Sequence, residues 1–199
     1  MSGSVTHIYL SHPQVLIDPS IPVPDWRLSE RGRVRAEAFA QAAWLRRFER
    51  IVSSEEVKAV QTAVILGNAL GIEPEIVHGM HENDRSATGF LPPDEFFATA
   101  SAFFASPDIS IRGWETARDA QTRIVLTAEA VCAKRPDVPT IFVGHGGVGT
   151  LLQCHCANLP IARSYDQIDG GGCHFAFSFN PRIVFYRWRL METQPEPMP

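Results

Sequence analysis

A chain of 199 residues with 45% hydrophobic content can build one well-cored domain and has too little apolar material for two. A net charge of −4, a pI near 6.0 and the lack of any basic block argue against a nucleic-acid partner. The first residues carry neither a basic n-region nor an apolar h-region, and no stretch approaches the roughly 18 apolar residues of a membrane span, so the chain reads as cytoplasmic with no membrane contact.

The elements follow in chain order. Residues Thr6–Leu10 are an apolar strand, and a connection rich in proline follows, with Pro19, Pro22 and Pro24. Ser29 is an N-cap with Glu30 favoured in the first turn, and the helix is expected to run to about Phe48. Ile51-Val52-Ser53 is a short buried strand. Val57, Val60 and Val64 give a helical pattern over Glu55–Leu70, with Gly71 as its natural stop. Glu75–His78 is a third strand. Residues 79–92 are polar and irregular, a long loop of the kind that often carries function.

Pro93–Ala105 is a helix whose Phe96, Phe97, Phe103 and Phe104 read as packing. Ala117, Gln121, Ile124, Ala128 and Val131 mark one face of a long helix. Thr140–Val143 is a strand leading to His145, and a helix runs from near Gly147 to about Ala157. Two last strands, near His174–Phe179 and Ile183–Trp188, are close enough for a hairpin. Residues 191–199 form a polar, proline-containing tail expected to be disordered, which leaves 1–190 as a single domain. Alternating strands and helices define an α/β class, with a mostly parallel sheet, helices on both faces and an antiparallel strand at one edge.

Cys132, Cys154, Cys156 and Cys173 are too sparse for a disulfide framework. Cys154-His155-Cys156 and Cys173-His174 invite a zinc reading. Neighbours two apart on a helix face different ways, however, and structural zinc prefers about two to four intervening residues. Buried thiols, no metal and no cofactor are the expectation.

His12 and His145 each lie just past an apolar strand. In an open α/β sheet, groups beyond the carboxyl ends of parallel strands share one crevice, so the two histidines can meet. A neutral imidazole can attack phosphorus and hold the phosphoryl group. The charge on the transferring group then needs cations or aimed N–H groups, which His145 and the Gly146-Gly147 backbone at a helix start could supply. A carboxylic acid must protonate the leaving oxygen, and Glu82 in the long loop is the natural candidate, with Asp84 in reserve. His7, His78, His155 and His174 read as structural.

The order of these features resembles the histidine phosphatase superfamily, the phosphoglycerate mutase-like proteins. Ser11-His12-Pro13 stands where that family has Arg-His-Gly. Leu28-Ser29-Glu30-Arg31-Gly32 matches its first helix start, and Ser54 to Ala63 matches Ser-x-x-x-Arg-Ala-x-Gln-Thr-Ala. His81-Glu82-Asn83, Gly113-Trp114-Glu115-Thr116 and Gly144-His145-Gly146-Gly147 follow in family order. The resemblance implies a phosphoglycerate mutase-like fold and a metal-independent phosphohistidine mechanism on a small phosphomonoester. It assigns His12 as nucleophile, Glu82 as acid and base, and His145 as charge partner. Hydrolysis is preferred over mutase transfer; a binder that has lost turnover, and more remotely a zinc hydrolase, are the alternatives.

Two phosphate-clamping arginines of the family are replaced. Ser11 stands at the first and Lys58 at the second, and Lys58 keeps the charge without the planar fork. Ser11, Lys58, Arg85 and Gly146 are the expected phosphate contacts, with Arg85 compensating from the loop. Arg27 and Arg31 are weaker candidates. Gln61 and Thr62 are expected to hold the second helix, and Glu115 to be a helix-start carboxylate. The particular substrate and the oligomeric state stay open, a homodimer among the options.

Overall fold

The computed structural model describes residues 4–168 and 170–194. Six strands form one sheet: β1 (His7–Ser11), β2 (Arg50–Ser53), β3 (Glu75–Ile76), β4 (Thr140–Gly144), β5 (Cys173–Phe179) and β6 (Arg182–Leu190). Their spatial order is β3-β2-β4-β1-β5-β6. The pairs β1–β4, β2–β4 and β2–β3 are parallel, and β1–β5 and β5–β6 are antiparallel. The helices are α1 (Glu30–Ala40), α2 (Val57–Leu70), α3 (Pro93–Ala105), α4 (Ala117–Lys134) and α5 (Gly146–Cys156).

The inner strands β1, β2, β4 and β5 are buried along almost their whole length because both faces of the sheet are covered there. Ile8 and Leu10 of β1 join Ile51, Ile141 and Val143 in a core with Phe39 of α1 and Leu66 of α2. Tyr9, pointing the other way, joins Val52, Phe142 and Phe175 in a second core with Ile124 of α4 and Leu151 of α5.

Three boundaries differ from expectation. Helix α1 stops at Ala40, and a 3₁₀ turn, Ala43–Arg47, takes over from the expected continuation to Phe48. The changed winding lets Leu45 and Phe48 both reach the core, at 0% and 2% exposure. The third strand is only two residues long, because the chain turns at His78–Met80 to bury Met80. The last two strands do form the expected antiparallel hairpin. The ordered chain also runs past residue 190: Met191 packs into the core and Glu192 pairs with Arg35, against the expected disorder from residue 191. The rest of that expected tail, 195–199, lies outside the described residues.

The topology brings three carboxyl ends together. Ser11 is in register with Gly144, and Ser53 with Val143. The next residues continue the ladder: His12 N–H donates to the Gly144 carbonyl (2.9 Å) and Ser54 N–H to that of Val143 (3.0 Å). His12, Ser54 and His145 therefore leave the sheet side by side.

Candidate active site

The His12 and His145 rings lie edge to face, with centroids 5.2 Å apart. His12 Nδ1 is 2.9 Å from the Pro13 carbonyl oxygen, which can only accept, so Nδ1 carries the hydrogen and Nε2 keeps its lone pair. Burial, helped by the positive Lys58, pushes the His12 pKa down to about 4, so the ring is neutral at pH 7.

His145 is buried at the start of α5. Its backbone N–H donates to Tyr9 Oη (3.0 Å). Its Nε2 lies 2.8 Å from Ser54 Oγ and 3.4 Å from Glu56 Oε1, while its buried Nδ1 has no hydrogen-bond partner among the described residues. A carboxylate so close to Nε2 makes that nitrogen the protonated one. Burial holds the His145 pKa below the usual histidine range despite the opposing Glu56 charge.

Glu82 reaches across from the long loop to the α5 N-terminus. Gly147 N–H donates to Oε2 (3.0 Å), and Val148 N–H (2.9 Å) and Asn83 N–H (3.0 Å) donate to Oε1. Oε1 thus accepts two hydrogen bonds and Oε2 one, leaving a free lone pair on Oε2. A Cβ at position 147 would stand 2.7 Å from Oε1, so glycine there is what admits the carboxylate. Gly146 N–H has no partner among the described residues, which fits its expected role as an anion contact.

The loop carrying Glu82 is pinned from two sides. Glu82 N–H donates to Glu56 Oε1 (2.8 Å). Arg123 of α4 donates to the carbonyls of Gly79 (3.0 Å), His81 (2.9 Å) and Glu82 (3.3 Å), and is itself paired with Glu115 (2.7 Å). Glu115 also accepts from Asp84 N–H (3.1 Å), so its carboxylate braces the loop and leaves the helix start to Thr116, whose side chain caps α4. Gln61 accepts from Leu28 N–H (2.8 Å) and Thr62 bonds back to the Lys58 carbonyl (2.8 Å), both structural contacts.

The four expected phosphate contacts separate. Arg85 lies beside the His12 cavity with its guanidinium 5.2 Å from the Phe96 ring centre and 5.7 Å from that of Trp114. None of its N–H groups has a hydrogen-bond partner among the described residues, so a planar fork stands free. Lys58 does not: its ammonium is bonded to Glu56 and to the Val23 carbonyl (2.8 Å), and it is buried. Ser11 does not either. Its hydroxyl accepts from Cys173 N–H (3.0 Å) and donates to Gln167 Oε1 (2.5 Å). Asp84 is exposed and its carboxylate accepts from Ser86 N–H (2.8 Å), while Arg27 and Arg31 are exposed and line neither cavity of the site.

Sequence reasoning missed Glu56, Gln167 and Arg123. Glu56 gathers Lys58, His145 and the Glu82 N–H around one buried carboxylate. Burial alone would push its pKa up, but His145, Lys58 and the donated N–H outweigh that and hold it near 2. A carboxylate and a lysine two residues apart at a helix start gave no sign of burial. Gln167 lies in a glycine-rich loop with no readable periodicity.

His12, Glu82, Arg85, Gly146, Gly147 and Gln167 all line a cavity of about 290 Å³, with Phe96, Phe103 and Trp114 on one side. A larger groove of about 760 Å³ meets it at Glu82, Asn83 and Arg85. Among the described residues no group of three His, Cys, Asp or Glu side chains is placed to hold a metal ion, and the four cysteines are buried and free. No described helix is long and apolar enough to cross a membrane.

The sequence profile of the histidine phosphatase superfamily (branch 1) matches residues 21–174. The chain belongs to that superfamily. Within it, the glucosyl-3-phosphoglycerate phosphatase of Mycobacterium tuberculosis is 31% identical over 188 residues, covering 83% of this chain and 82% of that protein. The native structure of the mycobacterial glucosyl-3-phosphoglycerate phosphatase superposes with a TM-score of 0.76 at 25% identity, covering 94% of this chain and 97% of the other. The same enzyme in complex with inorganic phosphate gives 0.72 at 27% identity, covering 94% and 95%. An Entamoeba histolytica phosphoserine phosphatase in complex with 3-phosphoglyceric acid shares the histidine phosphatase fold at 15% identity, with a TM-score of 0.75 over 92% of this chain and 96% of that one.

Proposed function

We propose that the chain is a phosphatase that hydrolyses a small phosphomonoester through a phosphohistidine on His12, without a metal ion. One observation carries the reading. The Pro13 carbonyl fixes the His12 tautomer so that Nε2 has a lone pair, and the cavity it shares with Glu82 and Arg85 supplies an acid and a cation. The relative solved with inorganic phosphate supports a phosphate-sized occupant.

In the first half-reaction, His12 Nε2 forms a bond to phosphorus as the bond from phosphorus to the ester oxygen breaks. Glu82 delivers the proton on Oε2 to that oxygen, and the alcohol leaves. In the second, Glu82 takes a proton from water, the water oxygen bonds to phosphorus, and the N–P bond breaks. Inorganic phosphate is released and His12 regains its lone pair. Arg85 and Gly146 N–H, joined by His145 once a proton sits on its Nδ1, meet the negative charge on the equatorial oxygens, the part a metal plays elsewhere. The alcohol portion lies against Glu82, where the two cavities join.

Hydrolysis of para-nitrophenyl phosphate in excess chelator tests this. Phosphate release should persist and should vanish in His12→Ala, and quenching in alkaline detergent should trap an acid-labile, alkali-stable phosphoryl group on the wild type alone. Glu82→Gln should slow turnover by about 10²–10⁴-fold. Saturable phosphate binding with no turnover would support the binding-protein reading that the diverted Ser11 and Lys58 keep in play.

A further inference from the structure

We propose that Gln167 supplies the phosphate-binding donors lost with the arginine that Ser11 replaces, and that Ser11 is the positioning residue that aims it. This rests on the phosphatase reading of the site.

The hydrogen bonding at Ser11 is directional. Cys173 N–H occupies a lone pair of Ser11 Oγ at 3.0 Å. The hydroxyl hydrogen then has two acceptors, Gln167 Oε1 at 2.5 Å and the Cys173 carbonyl at 3.2 Å, and the nearer one is the glutamine. With Oε1 held by Ser11, the amide nitrogen of Gln167 faces the other way. It lies over Gly146: a Cβ built there would stand 2.2 Å from Nε2. Neither Nε2 hydrogen has an acceptor among the described residues. Two N–H donors therefore sit at the α5 N-terminus, in the cavity lined by His12, Gly146 and Gly147.

The loop around Gln167 is built to hold this position. Asp166 Oδ1 accepts from Gln167 N–H and from Thr150 Oγ of α5, both at 2.8 Å. Further on, Gly172 N–H donates to the His12 carbonyl (3.0 Å), and Gly171, at φ +65°, passes so close that a Cβ would stand 2.4 Å from that oxygen. The segment closes back onto the nucleophile's own backbone. A fixed neutral amide cannot match an arginine's charge, but it is preorganised and needs no rearrangement when the phosphoryl charge develops.

The test is a double-mutant cycle on Ser11→Ala and Gln167→Ala, read as kcat and KM for para-nitrophenyl phosphate, the inhibition constant of inorganic phosphate and the thermal midpoint. Gln167→Ala should lower kcat by about 10²-fold and weaken phosphate inhibition with an unchanged midpoint. Gln167→Glu, which sets a carboxylate against the anion, should lose more. Ser11→Ala should lower kcat in the wild type but by less than about twofold in the Gln167→Ala background, because its effect passes through the glutamine. Additive losses, or a Gln167→Ala enzyme within about twofold of wild type in kcat and phosphate inhibition, would overturn the proposal. If wild type shows no turnover, the phosphatase reading fails by itself. Calorimetric phosphate binding then decides the role of Gln167: loss in Gln167→Ala supports it, and unchanged binding refutes it.

Discussion

Arg85 and Lys58 show how charge alone fails to say which cation is free to meet an anion. Both are cations near His12, yet Lys58 is spent on a buried carboxylate while Arg85 rests on two aromatic faces with its donors free. Arg85→Ala should therefore cut kcat/KM by about 10²–10³-fold and Arg85→Lys should recover only part of it, since a lysine cannot present the fork. Lys58→Met should act differently. It strands the Glu56 charge in the interior, so urea denaturation should show a loss of about 3–5 kcal/mol, and any rate loss should follow from the displaced His145 and Glu82. His145 carries a second prediction. With Nε2 protonated toward Glu56, its bare Nδ1 can bond a phosphoryl oxygen only if a proton arrives with the ligand. Phosphate binding should take up a proton, and affinity should weaken as pH rises above about 7, toward tenfold per unit. Calorimetry in buffers of differing ionisation enthalpy measures that uptake; none would assign the Nδ1 hydrogen to the free protein.

The elements that carry the site are held by contacts remote from the chemistry. The 79–92 loop reads in sequence as long, polar and irregular, and that much is correct. Its start is nevertheless fixed, because Arg123 ties the carbonyl groups of Gly79, His81 and Glu82 to α4, and Glu115 holds the Arg123 guanidinium. Arg123→Met should lower kcat by about 10²-fold with little change in phosphate inhibition, because it displaces the acid rather than the anion site. The start of α1 was legible down to its cap: Ser29 Oγ accepts from Gly32 N–H at 3.1 Å. The reason for Gly32 was not. A Cβ there would stand 2.1 Å from the Gln14 carbonyl oxygen, which comes from the turn after His12. Gly32→Ala should cost about 1–3 kcal/mol in denaturant unfolding.

Across the whole molecule, the sheet's double coverage determines the response to acid. Burial pushes the pKa values of His7, His12 and His174 down from 6.5 to about 4. Between those values the unfolded chain binds protons that the folded chain refuses. Their contribution to stability is full above about pH 6.5 and is lost as pH falls toward 4. Glu56, held near 2, adds a loss that begins below about 4.5. Thermal midpoints should fall steeply from pH 6.5 to 4, and a flat profile would mean that these histidines are solvated. Activity should also fall as pH drops through 4, when His12 takes up a proton on Nε2, the nitrogen proposed to attack.

The sequence by itself determined the class and pointed to the strand-end histidines and to Glu82 of the loop as candidates, because these follow from short-range patterns: apolar runs, a cap, a turn and the family order of motifs. It showed that two arginines were missing. Only the tertiary structure decided where their replacements point. Ser11 and Lys58 occupy the expected positions in the chain, yet partners 156 residues and two residues away, Gln167 and Glu56, take up their donors. Hydrogen bonds are satisfied by whatever the fold brings within about 3 Å, and distance along the chain does not constrain that choice.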